Sequence, residues 1–287
     1  MYYNSTLFLK QFFDLLYRMR VFFIFCLFLL CQKSLFGQIV EQDSLFSHSC
    51  QQYISYLTII PSHYEKSSQP YKILYVLHGA WANHSDYLKK TKIAEYSENY
   101  HLILVLPSSH LTQDNKKIVN SWYINSSIHK QIQWQSALHE LDSILKQKYK
   151  VQSKSGITGL SMGGYGAMYS AIHQPDLFST VSTMSAVFRL PEKPIEDMEW
   201  LFQDEVKNPQ YDLIQQISTL KNKKIQFLIS CGTEDKFYKD GQNTNMFNAM
   251  KKTGLKAVSD FKQGKHSWTY WDNTLPLHLK FHDIEQK

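Results

Sequence analysis

Residues 155–171 read SGITGLSMGGYGAMYSA, with Ser161 framed as Gly159-Leu160-Ser161-Met162-Gly163. The run up to Leu160 has the character of a buried strand, and the residues from Gly163 onward read as a helix. A serine at a sharp strand-to-helix turn is the setting of a nucleophile elbow. Glycines at 159 and 163 would let neighbouring backbone pass the turn without a Cβ clash. The helix N-terminus beyond it favours negative charge. The same residues would also suit a turn that only packs closely, so the remainder of the chain has to decide.

Working outward, strand-like and helix-like stretches alternate. QYISYLTII (52–60) alternates until Pro61, and KILYVLHG (72–79) and LILVLP (102–107) are short apolar runs of the kind that fill a covered sheet. Trp134, Ala137, Leu138, Leu141, Ile144 and Leu145 recur at helical spacing up to about Tyr149. TVSTMSA (180–186), KIQFLISCG (224–232) and KAVSDFKQ (from 256) read as further strands. TNMFNAMKKTG reads as a helix closed by Gly254, and another helix ends the chain. This order predicts an α/β fold, a mostly parallel central sheet covered by helices on both faces. A single domain is expected over 38–287, with residues 187–222, which hold Pro191, Pro194 and Pro209, as an insertion over the sheet.

A neutral serine needs a base, and the base needs an orienting carboxylate. On α/β-hydrolase folds these follow in the order serine, acid, histidine. SCGTEDKFY places Glu234 and Asp235 just past one strand, and QGKHSWTYW places His266 just past the next. Asp235 is favoured over Glu234 as the acid, and His266 as the base. His129, His139, His173, His278 and His282 fall on helices or their flanks and read as surface or core residues. An oxyanion site needs preset N–H donors. Met162, directly after the serine, would supply one and Ala80, in LYVLHGAWANHSDY, the other. His78 would brace that loop. No metal-ligand spacing and no cofactor motif stand out.

Together, LYVLHGAWANHSDY, NSWYINS, GITGLSMGGYGAMYSAIHQPDLFSTVSTMSA, SCGTEDKFY and GKHSWTYW resemble the esterase D group of α/β-hydrolases, over about residues 42–281. That group includes feruloyl and acetyl-xylan esterases, tributyrin esterases, S-formylglutathione hydrolases and mycolyltransferases. The resemblance implies Ser161 as nucleophile, Asp235 as acid and His266 as base. Trp81 stands where the group usually has a small residue, and the approach to Ser121-Trp122-Tyr123 is longer and more polar than usual. Trp81, Trp122 and Tyr123 are therefore candidate substrate-lining residues, with core packing the alternative for the last two.

The 287 residues suffice for one large domain, and 43% hydrophobic with 20% charged residues is ordinary for a globular chain. The aromatic share of 14% would suit either an aromatic core or a site for flat or sugar-like ligands. Half of the net charge of +6 lies in the first 37 residues, through Lys10, Arg18, Arg20 and Lys33 against Asp14. The remaining lysines are scattered, and nucleic-acid binding is not implied.

VFFIFCLFLLC (21–31), after Met19-Arg20 and before a short polar exit, reads as a signal peptide over 1–37, with Met19 an alternative start. It is short for a membrane span, though an uncleaved anchor would make the leader the one contact with a membrane. With Cys26 and Cys31 in the leader, Cys50 and Cys231 alone make no disulfide framework and read as free thiols, with a single bridge between them the alternative in an oxidising compartment. The expectation is an exported serine esterase acting on a small-molecule or carbohydrate ester. An acyltransferase with the same triad, or a non-catalytic surface binding protein on the same fold, is the alternative.

Overall fold

The short apolar runs become the inner strands of an eight-stranded sheet in the computed structural model. It describes residues 37–113, 115–118, 120–190, 197–203 and 208–283. The leader read over 1–37 lies outside the described residues except at Gly37. Residues Ile39–Lys287 cluster as one compact unit.

The strands are β1 (Ile39–Ser47), β2 (Gln52–Ile60), β3 (Lys72–Leu77), β4 (Leu102–Pro107), β5 (Leu111–Gln113), β6 (Lys116–Ile118), β7 (Ser155–Leu160), β8 (Phe178–Met184), β9 (Gln226–Gly232) and β10 (Lys256–Lys262). The main sheet runs β1-β2-β4-β3-β7-β8-β9-β10, while β5 and β6 form a separate small hairpin. β1 and β2 pair antiparallel, as do β2 and β4, and every later pairing in the sheet is parallel. β3, β4, β7 and β8 are buried at every residue, as central parallel strands covered on both faces must be.

Side-chain alternation divides the interior into two cores. Ile73, Tyr75 and Leu77 of β3 join one cluster with Leu138 and Leu141 of α3 (Trp134–Lys148), Met168 of α4 (Met162–His173) and Met246 of α8 (Gln242–Thr253). Leu74 and Val76 join the other, with Tyr87 of α1 (Asp86–Lys90), Ile93 of α2 (Ile93–Ser97) and Leu275 of α9 (Trp268–His282). Helices thus cover both faces. Within the segment read as an insertion, α5 (Asp197–Phe202) and α6 (Leu213–Gln216) bury Leu201, Phe202 and Leu213 against the first core. The short helix α7 (Lys236–Lys239) follows β9.

The seat of α9 is partly polar. His278 and His282 are fully buried there. Ser182 Oγ lies 2.8 Å from both His282 Nε2 and His278 Nδ1, and its hydroxyl donates to Thr158 Oγ1. Both rings therefore donate an N–H to Ser182, which leaves His282 Nδ1 to accept from Thr180 Oγ1 at 2.7 Å and His278 Nε2 to accept from Ser230 Oγ at 2.8 Å. Burial holds both imidazoles neutral, His278 pushed down to about 3 and His282 well below its ordinary range. Cys50 and Cys231 are both buried and free.

Candidate active site

The parallel strands point their carboxyl ends to one edge, and the serine, acid and histidine singled out in the sequence all follow strand ends there. Ser161 comes directly after β7 with φ 53 and ψ −118, a backbone conformation that L-residues rarely adopt. The turn is clamped from both sides, since Ser161 N–H donates to Met184 O at 2.9 Å and Ser161 O accepts from Tyr165 N–H at 3.2 Å. A Cβ at position 163 would lie 2.2 Å from Leu77 O and 2.6 Å from His78 O. Glycine at 163 lets α4 start against the end of β3, which is the reason this turn is glycine-rich.

Asp235 and His266 come from the turns after β9 and β10, and the backbone laces those turns together. Thr233 N–H donates to Lys262 O at 2.8 Å and Glu234 N–H to Gly264 O at 2.9 Å. Both carboxylate oxygens of Asp235 are engaged, Oδ1 by Phe237 N–H at 2.9 Å and Oδ2 by His266 Nδ1 at 2.7 Å. His266 Nε2 stands 3.1 Å from Ser161 Oγ. Burial opposes the charge on Asp235, but the His266 contact, the Phe237 N–H and the nearby Ser185 hydroxyl outweigh it and hold the carboxyl below its ordinary range. Glu234 turns away and accepts from Gln263 Nε2 at 3.0 Å. The Asp235 side chain is fully buried while His266 is 34% exposed, so the chain runs from a shielded charge to an accessible hydroxyl. Phe237 and Trp271 meet the imidazole edge-to-face, 5.2 and 4.9 Å between centroids.

Met162 begins α4, and Ala80 follows His78-Gly79 at the end of β3. Among the described residues, neither N–H is taken by a side chain or by a carbonyl outside its own element. Gly79 has no left-handed φ. It is glycine because a Cβ there would lie 2.7 Å from Leu160 Cδ1, so the need is close approach to the elbow. His78 braces the loop as expected, with Nε2 accepting from Ser109 N–H at 3.1 Å and Nδ1 donating to Gly79 O at 2.9 Å. Burial pushes this imidazole down to about 3.

The three candidate lining residues part company. Trp81 is 64% exposed with φ 57, its N–H held by Asn120 Oδ1 at 3.0 Å. Trp122 is almost buried, edge-to-face with Tyr165 at 5.2 Å. Tyr123 is a correction: it is fully buried, packs on Trp134 at 4.6 Å between centroids and donates its hydroxyl to His78 O at 2.9 Å. Burial deprives it of any contact with a ligand and makes it part of the brace behind the Ala80 loop. Asn120, which pins Trp81, carried no sequence signal beyond its place beside Ser121-Trp122-Tyr123. Among the described residues, no group of three or more His, Cys, Asp or Glu side chains is arranged to hold a metal ion.

Comparison with known proteins extends these observations. The model of the family Esterase, described as "Putative esterase", matches residues 47–282. An acetyl esterase of Caldicellulosiruptor saccharolyticus is 23% identical, the match covering 81% of this chain and 94% of that protein. Among solved structures, the fluorophosphonate-binding serine hydrolase FphF of Staphylococcus aureus superimposes with TM-score 0.74 at 22% identity, covering 87% of this chain and all of the other. A ferulic acid esterase superimposes with TM-score 0.72 at 23% identity, covering 86% of this chain and 98% of the other. With a family match that spans nearly all of the described fold, this chain belongs to the esterase family and is a carboxylic-ester hydrolase of the α/β-hydrolase fold.

Proposed function

We propose that the protein is exported and hydrolyses esters of short acyl groups, acetyl or feruloyl, carried on a carbohydrate, through an acyl-enzyme at Ser161. One observation carries the mechanism: the hydrogen-bonded line from Asp235 Oδ2 to His266 at 2.7 Å and from His266 to Ser161 Oγ at 3.1 Å, anchored on a backbone turn at φ 53. Ser161 Oγ attacks the ester carbonyl as its proton passes to His266 Nε2, and Asp235 stabilises the imidazolium. The N–H groups of Met162 and Ala80 receive the developing oxyanion. His266 then gives the proton to the departing alkoxide as the C–O bond breaks. Water, deprotonated by the same imidazole, cleaves the acyl-enzyme and returns the proton to Ser161.

The acyl class is supported by the relatives named acetyl esterase and ferulic acid esterase. Trp81, exposed beside Ala80, offers a flat surface for an aromatic or sugar ring. Export is supported by the basic-then-apolar leader before Gly37. Ser161→Ala tests the mechanism: hydrolysis of p-nitrophenyl acetate is expected to fall by about 10⁴-fold or more. An unchanged rate would remove Ser161 from the reaction. A panel of acetylated and feruloylated xylo-oligosaccharides beside long-chain esters tests the substrate class, and N-terminal sequencing of the mature protein tests cleavage after Gly37.

A further inference from the structure

The fold gathers at one end of the sheet lysines that the sequence scatters. One row of paired residues crosses the sheet from Val40 of β1 through Leu74, Gly156, Thr180 and Gln226 to Lys256 of β10. It lies at the amino ends of the parallel strands, away from the carboxyl edge that holds Ser161. Lys154 and Lys224 stand two residues before this row, on the approaches to β7 and β9. Lys251 and Lys252 close α8, which returns to the start of β10, and Lys221 caps the 3-10 turn Ile217–Leu220 packed on that helix.

Segments 150–155, 217–226 and 250–257 together hold eight lysines, six of them exposed, and no acidic residue. Asp176, just before β8, pairs with Lys223 at 3.0 Å. Glu98 and Asp283 reach the same end beside β4, where they accept from the backbone N–H groups of Ser62 and His101. Helix dipoles favour lysines near the C-termini of α3 and α8, but Lys154, Lys221, Lys224 and Lys256 lie outside those turns. Folding alone gives no reason to crowd like charges at one end, because their repulsion weakens the compact state.

The chemistry of the patch narrows its partner to a broad anionic surface. Its three segments hold no arginine for a bidentate grip on a phosphate or base, and no aromatic ring to stack on a base or sugar. β7 to β10 span three strand spacings, about 15 Å, so the charges spread over the end of the sheet rather than converge on a pocket. The chain also enters the fold here. β1 begins with Ile39 and Val40, 50% and 44% exposed, and the basic-then-apolar leader precedes them. We propose that this end of the molecule docks electrostatically on the anionic headgroups of a phospholipid membrane, with the catalytic edge turned outward. The choice of a membrane rests on the reading of residues 1–37 as an export leader. Each lysine near such a surface multiplies the affinity by about fivefold. The strands are about 20 Å long, roughly two Debye lengths at 0.1 M salt, so lysines at the carboxyl edge contribute little.

Co-sedimentation with vesicles of phosphatidylcholine alone, and with about 30% phosphatidylglycerol, tests this on the protein as recovered from the exporting cell. Binding is expected to be far stronger to the mixed vesicles and to fade as salt rises from about 0.1 to 0.5 M. The triple variant Lys224→Gln, Lys252→Gln, Lys256→Gln should lower the partition coefficient on them about 100-fold. The triple variant Lys236→Gln, Lys239→Gln, Lys265→Gln, at the carboxyl edge, should leave it within about threefold. Hydrolysis of p-nitrophenyl acetate should be unchanged in the amino-end triple, which verifies that it is folded. Equal binding to both kinds of vesicle, equal loss in the two triples, or tighter binding to duplex DNA than to the mixed vesicles at the same salt would overturn the proposal. Those outcomes leave the reading of Ser161 standing, and N-terminal sequencing tests the leader separately.

Discussion

At the scale of single residues, Ser161 gives up stability for position. Its left-handed φ aims the hydroxyl at His266, and a strained non-glycine residue of this kind costs about 1–3 kcal/mol. Glycine carries no such penalty. Ser161→Gly is therefore expected to be inactive yet about 1 kcal/mol more stable than Ser161→Ala, read as a higher denaturant midpoint with an unchanged slope. The serine, acid and histidine were legible in the sequence because each sits just past a strand, where a run of apolar residues ends. Trp81, Trp122 and Tyr123 were not separable by that means. All three have left-handed φ values of 56–57, and the loop path, rather than residue type, decides that Trp81 is exposed while Tyr123 is sealed against Trp134.

At the scale of elements, the loop after β3 is held from behind by side chains remote in sequence. Tyr123 supports His78 O and His78 supports Ser109 N–H, so the Ala80 amide is fixed by a brace that never touches the ester. Tyr123→Phe leaves a buried carbonyl short of a donor and should destabilise the protein by about 1–2 kcal/mol. On the proposed role of the Ala80 N–H as an oxyanion donor, kcat for a small ester should fall with KM little changed. A raised KM at constant kcat would assign the loop to substrate binding instead.

The elements missed from the sequence have physical reasons. β1 reads IVEQDSLFS and is mostly exposed, an antiparallel edge strand whose alternation carries no hydrophobic signal. β5 and β6 have three residues each, too few for a period to show. The inner strands and the long helices were legible because burial on both faces leaves continuous apolar runs and helical stripes.

For the whole molecule, three imidazoles are sealed in neutral form, His78 under the loop and His278 and His282 under α9. His78 and His278 titrate near 3 in the native state against an ordinary 6.5. As pH falls through about 6.5 the unfolded chain takes up protons that the native chain refuses, so their contribution is complete above 6.5 and is lost progressively down towards 3. Each should remove about 2 kcal/mol of stability at pH 5, and urea midpoints at pH 7 and pH 5 measure it. A midpoint unchanged between the two would mean that these rings are already charged in the fold.

Cys50 and Cys231 have a consequence for handling and habitat. Burial pushes the Cys231 thiol up to about 12 and raises Cys50 as well, so little thiolate forms to react with oxidants or alkylating agents. The described domain is closed by packing alone, with no crosslink to make or break. Its ester hydrolysis and melting temperature should be the same in dithiothreitol as in air. The described domain is thus expected to be indifferent to the redox poise of its surroundings and to fold without a disulfide-forming catalyst.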